Sequence, residues 1–344
     1  MDTDDDVSAL EEEEVGIWDP SPAPSLGLRQ SPSSSPDSDS SLEISSSSDE
    51  EENSSPTIGS ETSPFAVQEC KEEYKNVVRY VIQSARTHTT EKEKYVLYCV
   101  EVRRFTVLKK GLPPADTLGY SNHKTRHKKY ASFERRYSEF HAVYNALMES
   151  HRSLMEEFDG FPKKVIIGNF SQEVIAERCK GLARFMNFVH EQEVLRRTAV
   201  FTKFLHESEV KISDHYLLLS QFEEACPVIE NTFLLFYILH WDTGSLICKL
   251  CQLIVCFHAL GNYEKSYKYA QIALRKFEML GNNKICNDLY MPLLCFCNSL
   301  WRILGKDRTT IKTKIEQERK ERKEEGVPNL LDILRDEITV RYLH

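Results

Sequence analysis

Three separate segments of the chain carry basic side chains of the kind that bind phosphate. They are Arg135-Arg136-Tyr137, Lys163-Lys164 and Arg178. Arginine donates charge-assisted hydrogen bonds to phosphate with a fixed geometry, and a neighbouring tyrosine offers a flat face to the carbon atoms of a phosphorylated ring. Because short motifs also occur by chance, a solvated turn is the alternative for the arginine pair on its own.

The arginine pair lies where a predicted strand meets a predicted helix. Residues 129–134 have the composition of a strand, and Ser138 is expected to begin the helix. The apolar residues of this helix are spaced at i, i+3, i+4 and i+7, as on one helical face: Phe140, Val143, Tyr144 and Leu147. Residues 77–82 and 95–102 are rich in β-branched and aromatic side chains, and they predict two earlier strands joined as a hairpin.

The two lysines share a loop with a run of aliphatic residues. This loop, residues 161–170, is bounded by proline and glycine, and the lysines are followed by Val165, Ile166 and Ile167. In one interpretation the aliphatic side chains enter a bilayer while the lysines face anionic head groups. In the other, the aliphatic side chains are buried in the core.

Arg178 interrupts the apolar stripe of a second predicted helix. Ser171 is suited to cap the N-terminus of this helix, and apolar residues recur on one face after it. Burial of an unpaired guanidinium is unfavourable, so Arg178 requires an anionic partner. That partner is either a glutamate of the same protein or a bound anion.

The order of these elements resembles the PX domain, the phosphoinositide-binding module of sorting nexins. The resemblance covers about residues 74–208 and includes the Arg-Arg-Tyr-Ser-Glu-Phe turn from Arg135, the proline-containing loop and the Glu-Arg-Cys-Lys-Gly-Leu segment around Arg178. It implies an α+β domain in which a three-stranded antiparallel sheet is followed by a helical subdomain.

The resemblance also implies a role for individual residues in binding phosphatidylinositol 3-phosphate. Arg136 would hold the 3-phosphate, and Tyr137 would form the floor under the inositol ring. Lys164 would reach the 1-phosphate, and Arg178 would bind the ring hydroxyls at positions 4 and 5. Val165, Ile166 and Ile167 would insert into the membrane.

Two neighbouring residues are secondary candidates for lipid binding. Lys163 competes with Lys164 for the same role, because the loop lacks the longer proline-rich stretch common in the family. Arg135 is either a second phosphate contact or the partner of a nearby acid. A basic insertion at residues 109–129 also departs from the family pattern, and its charge favours any anionic lipid.

Residues 209–344 have a helical pattern throughout. The first break within this region is predicted at Cys226-Pro227. The segment that begins Leu260-Gly261-Asn262-Tyr263 resembles the second half of a tetratricopeptide unit. This resemblance implies an all-α, tetratricopeptide-like bundle that binds a protein cargo or partner, and a PX domain followed by such a bundle resembles the small subfamily of sorting nexins 20 and 21.

The charge of the chain is distributed unevenly. Residues 1–64 hold 17 acidic residues and one basic residue, so their net charge is −16. Because the whole chain has a formal charge of −9, residues 65–344 carry +7. The acidic segment is rich in serine and poor in apolar residues, and we expect it to be a disordered tail.

Composition argues against several other classes of protein. The ten cysteines come without a secretory signal and are expected to be reduced and apolar in role, with no metal site. No pattern indicates an enzyme, a cofactor or a membrane span, and the basic cluster lacks the interleaved aromatic residues typical of nucleic-acid binding. The resemblance to sorting nexins implies a cytoplasmic protein that is peripheral on the early endosome membrane. The alternative is a cytosolic interaction scaffold with little or no lipid binding.

Overall fold

A computed structural model of the chain describes residues 74–108, 130–165, 167–280, 287–322 and 326–343. The predicted acidic tail, the basic insertion at 109–129 and Ile166 lie outside the described residues. The described residues from Tyr74 onwards belong to one compact unit.

The described chain begins with an antiparallel sheet of three strands. These are β1 (Tyr74–Thr89), β2 (Lys94–Leu108) and β3 (Tyr130–Arg136), and they lie side by side in that order. A tight turn joins β1 to β2, in which the Thr90 backbone N–H donates to the Glu93 carbonyl at 2.8 Å. The predicted three-stranded antiparallel sheet is therefore confirmed.

Helices make up the rest of the described fold, which confirms the predicted helical region after residue 209. In chain order they are α1 (Tyr137–Ser150), α2 (Arg152–Met155), α3 (Gln172–Glu191), α4 (Glu193–Arg196), α5 (Ala199–Leu218), α6 (Phe222–Ile238), α7 (Thr243–Ala259), α8 (Tyr263–Leu280), α9 (Asn287–Ile303), α10 (Thr309–Arg322) and α11 (Leu330–Leu343). Within the described residues, no helix combines the length and the apolar character that crossing a membrane requires.

The two helices that carry site residues begin with different caps. Ser171 caps α3 as predicted, since its side chain accepts a hydrogen bond from the Val174 backbone N–H at 3.3 Å. The prediction that Ser138 begins α1 was wrong by one residue. The helix begins at Tyr137, and the Glu139 carboxylate accepts from the Arg136 backbone N–H at 2.7 Å.

The predicted helix break at Cys226-Pro227 was also wrong. Pro227 lies inside α6, and the chain instead turns at Ser220, whose φ is +58°. Cys226 and Ile229 on either side of the proline are both buried, so tertiary packing favours the continuous helix over the local preference of proline.

Helix α6 is shared between two apolar cores. The first core lies between the sheet, α1, α3 and the start of α5, and α6 contributes Leu235 and Ile238 to it. The second core lies among the later helices, and α6 contributes Ile229 and Phe236 to it. The boundary predicted between residues 208 and 209 falls inside α5, which is continuous there.

Asparagine side chains from two helices bind the outer strands of the sheet. On β3, Asn231 of α6 donates to the Ser132 carbonyl at 2.7 Å and accepts from its N–H at 2.9 Å. On β1, Asn187 of α3 donates to the Tyr80 carbonyl at 2.8 Å and accepts from its N–H at 3.0 Å. Each amide thereby takes the place of a neighbouring strand and fixes a helix to the sheet.

Replacing Asn231 by alanine removes both hydrogen bonds from the edge of β3. We expect the free energy of unfolding to fall by ~2 kcal/mol, because two backbone groups next to a packed helix lose their partners. Urea titration followed by circular dichroism and by tryptophan fluorescence should give coincident transitions, since α6 belongs to both cores.

The matched control is Asn145→Ala on the exposed face of α1, which we expect to change stability by less than ~0.5 kcal/mol. If Asn231→Ala unfolds at the same urea concentration as this control, the two hydrogen bonds between Asn231 and β3 do not stabilise the packing of α6 on the sheet.

Candidate functional site

Four elements bring the predicted basic residues together at one end of the sheet. They are the start of β2, the junction of β3 and α1, the loop of residues 161–170, and α3. The Tyr137 hydroxyl donates to the Pro162 carbonyl at 2.7 Å, and the guanidinium carbon of Arg178 lies 4.1 Å from the centre of the Tyr137 ring. Tyr137 therefore joins the loop that carries the lysines to the helix that carries Arg178.

Arg136 presents an accessible guanidinium that two neighbours hold in position. Its guanidinium carbon lies 3.3 Å from the centre of the Tyr95 ring, and its Nη1 lies 3.2 Å from Glu93 Oε2. The side chain nevertheless remains 40% exposed. An anion arriving from solvent can therefore reach the edge of this guanidinium.

Arg178 is buried, with an exposed fraction of only 5%. Its Nη2 donates to Asn169 Oδ1 at 2.8 Å, whereas its Nε is buried without a hydrogen-bond partner among the described residues. Within that same part of the chain no carboxylate forms an ion pair with Arg178, so the glutamate partner considered from the sequence is not seen there.

The aromatic groups beside Arg178 are held in their neutral form. Burial raises the pKa of Tyr137, and the nearby Arg178 partly opposes that rise. Burial likewise raises the pKa of Tyr98, again against the influence of Arg178. The Tyr98 hydroxyl lies beside Arg178, and neither this hydroxyl nor Arg178 Nε makes a hydrogen bond of good geometry among the described residues.

Arg135 is engaged away from solvent by an acid on α5. Its Nη1 and Nη2 each lie 2.7 Å from a carboxylate oxygen of Glu209, and its Nε donates to the Phe204 carbonyl at 2.8 Å. Its side chain is only 3% exposed. Arg135 was expected to be either a second phosphate contact or the partner of a nearby acid, and the structure shows it paired with the acid Glu209.

Lys163 and Lys164 are both exposed and follow the buried Pro162. Neither lysine forms an ion pair or hydrogen bond with another residue that the structure describes. Both ammonium groups are therefore accessible to an anion, and which of them reaches the ligand stays a prediction.

The loop is anchored at its start by close packing against α3. A Cβ atom at Gly181 would lie 2.5 Å from the Pro162 side chain and 3.4 Å from the Gly160 carbonyl, so only glycine permits this approach. Phe161 stacks on Tyr144 with ring centres 4.2 Å apart. The backbone just before the two lysines is thus held in a fixed position.

Beyond the lysines the loop exposes apolar side chains. Ile167 is 87% exposed and Phe170 is 42% exposed, whereas Val165 is half-buried. The core interpretation therefore fails for Ile167, and Ile166 lies outside the described residues. Lys94 of β2 lies over Phe170, with its Nζ 4.6 Å from the ring centre.

Sequence reasoning missed four residues of this site: Glu93, Lys94, Tyr95 and Phe170. The first three belong to the β1–β2 turn and the start of β2, which reach Arg136 and Phe170 only through the pairing of the strands. Phe170 could have been found, because it ends the loop of residues 161–170, for which membrane contact is one of the two predicted roles.

The cysteines of α7 are remote from this site and carry no sign of metal binding. Cys248 and Cys251 are buried and form no disulfide among the described residues, and burial raises the pKa of the Cys248 thiol to about 12. Among the described residues, no cluster of three or more His, Cys, Asp or Glu side chains could hold a metal ion.

Comparison with known proteins identifies the region that contains the site. A family model for the PX domain matches residues 123–208. The chain is 26% identical to sorting nexin-20 of Bos taurus over 77% of both chains, and 26% identical to that of Rattus norvegicus over 76% of this chain and 78% of the relative. A solved designed CISK-PX domain is 20% identical and is matched over 37% of this chain and 98% of that one, with a TM-score of 0.27.

The similarity to sorting nexin-20 spans far more of the chain than the PX match does. The chain therefore contains a PX domain and is similar to sorting nexin-20 along about three quarters of its length.

Proposed function

We propose that this protein is a sorting nexin that binds phosphatidylinositol 3-phosphate and is thereby recruited, as a peripheral protein, to the early endosome membrane. A general role in phosphoinositide binding and membrane traffic follows from its PX domain and its relatives. The particular lipid and compartment are the proposal. The residues assigned to the head group are Arg136, Tyr137, Arg178 and one of the two lysines, with Lys164 preferred.

The buried charge of Arg178 is the observation that carries the proposal. The guanidinium lies against one aromatic ring and donates to one neutral amide, that of Asn169, without a carboxylate partner in the described part of the chain. A buried cation without a counter-ion is unfavourable. A polar, hydroxyl-rich anion would supply acceptors for the open Nε and negative charge for the guanidinium.

The exposure of each remaining residue indicates which part of the head group it would bind. Arg136 is exposed and suits a phosphate that carries between one and two negative charges near neutral pH. The buried Arg178 suits the sugar-like ring that lies deeper. Lys164, on a loop anchored by Pro162, suits the phosphate that joins the ring to the lipid.

The exposed apolar residues of the loop would provide a second attachment to the membrane. Ile167 and Phe170 extend beside the lysines and Lys94, which combines apolar area with positive charge. Binding of one head group is modest by itself, and a second contact on the same surface multiplies the overall affinity.

The helices after residue 209 are proposed to bind a protein cargo or partner. The similarity to sorting nexin-20 extends into these helices, since it covers 77% of the chain. A shallow depression of about 430 Å³ at the turns after α7 and α9 offers apolar surface beside one carboxylate, and it is lined by Leu260, Gly261, Asn262, Tyr263, Glu264 and Leu304. Binding of a partner there without any lipid binding is the alternative function, a cytosolic scaffold.

Vesicle flotation tests the pocket. We expect Arg136→Gln and Arg178→Gln each to weaken binding to vesicles with phosphatidylinositol 3-phosphate by ~10-fold or more, because each removes charge-assisted hydrogen bonds. In a parallel flotation series over all phosphoinositides, the largest fraction of the protein should float with vesicles that contain phosphatidylinositol 3-phosphate. Because Arg178 lacks a counter-ion among the described residues, Arg178→Gln should lower the free energy of unfolding by no more than ~1 kcal/mol.

The exposed Arg152 on α2 provides the matched control, and Arg152→Gln should bind like the unmodified protein. Undiminished binding by a folded Arg136→Gln protein would refute the assigned pocket. If the folded, unmodified protein floats with none of the phosphoinositides, the scaffold function is favoured instead.

The role of the loop is tested separately. We expect Ile167→Glu to weaken vesicle binding by ~10-fold, because a charged side chain resists transfer into the bilayer interface. The affinity for a soluble, short-chain phosphatidylinositol 3-phosphate, measured by calorimetry, should stay unchanged. Val194→Glu on α4 is the control, since Val194 is also exposed, at 56%. Equal vesicle binding by the two variants would exclude insertion of this loop.

A further inference from the structure

Glu93 makes direct contact with the guanidinium assigned to the phosphate. Its Oε2 lies 3.2 Å from Arg136 Nη1, and the side chains of Glu93 and Arg136 are 59% and 40% exposed. The contact joins residues that are 43 positions apart in the chain. It therefore depends on the fold of the hairpin rather than on sequence proximity.

The turn that carries Glu93 is ordered by its own hydrogen bonds. The Thr90 N–H donates to the Glu93 carbonyl at 2.8 Å, and the Glu93 N–H donates to the Thr90 hydroxyl oxygen at 3.0 Å. These bonds fix the Glu93 backbone beside the end of β3. The carboxylate is consequently held close to Arg136.

Two neighbours occupy part of the Arg136 guanidinium. Tyr95 covers one face of the guanidinium, so anions must bind along its edge. Glu93 already uses Nη1 on that edge. Carboxylate and phosphate oxygens compete for the same guanidinium donors because both match the planar fork of arginine.

We propose that Glu93 is an internal competitor for Arg136 that limits the affinity of the site for a phosphorylated head group. This inference rests on the proposed function, because it assigns a second role at the same pocket. Glu93 occupies one of the guanidinium nitrogens that a phosphate oxygen can use. A phosphate that binds Nη1 has to displace Glu93, and a phosphate that binds the other nitrogens still lies beside a like charge.

The size of the effect follows from the exposure of the pair. An ion pair in solvent is weak, so a doubly charged phosphate displaces the carboxylate readily. Displacement together with the remaining repulsion should still raise the dissociation constant by about threefold to tenfold. The affinity of the pocket for the head group would thus be lower than it would be without Glu93. The exposed loop would then contribute a larger share of the affinity for a membrane.

The experiment measures the affinity of the full chain for soluble, dibutanoyl phosphatidylinositol 3-phosphate by calorimetry. We expect Glu93→Gln to lower the dissociation constant by about threefold to tenfold. Glu91→Gln is the matched control, because Glu91 is an exposed acid of the same turn without a hydrogen bond or ion pair to another described residue. Both variants raise the net charge of the chain equally, so only a local effect separates them.

A double-mutant cycle identifies the contact responsible. In an Arg136→Gln background, Glu93→Gln should give a clearly smaller gain, because only the repulsion of the phosphate is then removed. Equal affinities for Glu93→Gln and Glu91→Gln would overturn the inference while leaving the proposed function intact, as would a gain of the same size without Arg136. If neither the unmodified chain nor Glu93→Gln binds this lipid, the proposed function fails and the inference fails with it.

Discussion

The position of Arg178 on the inner face of α3 constrains everything around the candidate site. Solvation of a guanidinium is lost on burial, and in this protein an aromatic ring and an amide replace it only in part. The neighbouring groups are accordingly arranged to tolerate a cation: Tyr137 keeps its proton, and Asn169 turns its oxygen towards Arg178. A second arginine, Arg135, shows the contrasting solution, since it is equally buried but is neutralised by Glu209. The two residues contrast an arginine neutralised by a carboxylate with one that has no carboxylate partner among the described residues.

The fixed geometry of the site depends on contacts between small and aromatic residues. Gly181 admits Pro162 to the surface of α3, and Tyr137 then bonds the carbonyl of that proline. Phe161 is held by the ring of Tyr144. The loop therefore has a rigid beginning, from which the exposed Ile167 extends. Such a division would suit the proposed function, in which a fixed pocket recognises a head group and the end of the loop adapts to a fluid membrane surface.

The sequence could indicate those features of the site that depend on residue type and local spacing. Arg136, Tyr137 and Arg178 are recognisable because the strand and helix patterns place them at the ends and faces of regular elements. Glu93 and Tyr95 could not be linked to Arg136 in the same way, because that contact arises from the register between β2 and β3. Nothing in the sequence of α6 indicates the role of Asn231, because its amide bonds the backbone of β3, which is distant in the chain. The break predicted at Pro227 was wrong because a tertiary contact also decides here: burial of Cys226 and Ile229 outweighs the tendency of proline to end a helix.

The sharing of α6 between two cores has a mechanical consequence. A helix that fills both cores cannot pivot without exposing apolar side chains from one of them, so the sheet and the following helices move as a single body. Any protein held by those helices would be carried at a set height and angle above the bilayer. The reach of such an assembly would be determined by side-chain packing, with none of the swivelling freedom that a flexible tether provides.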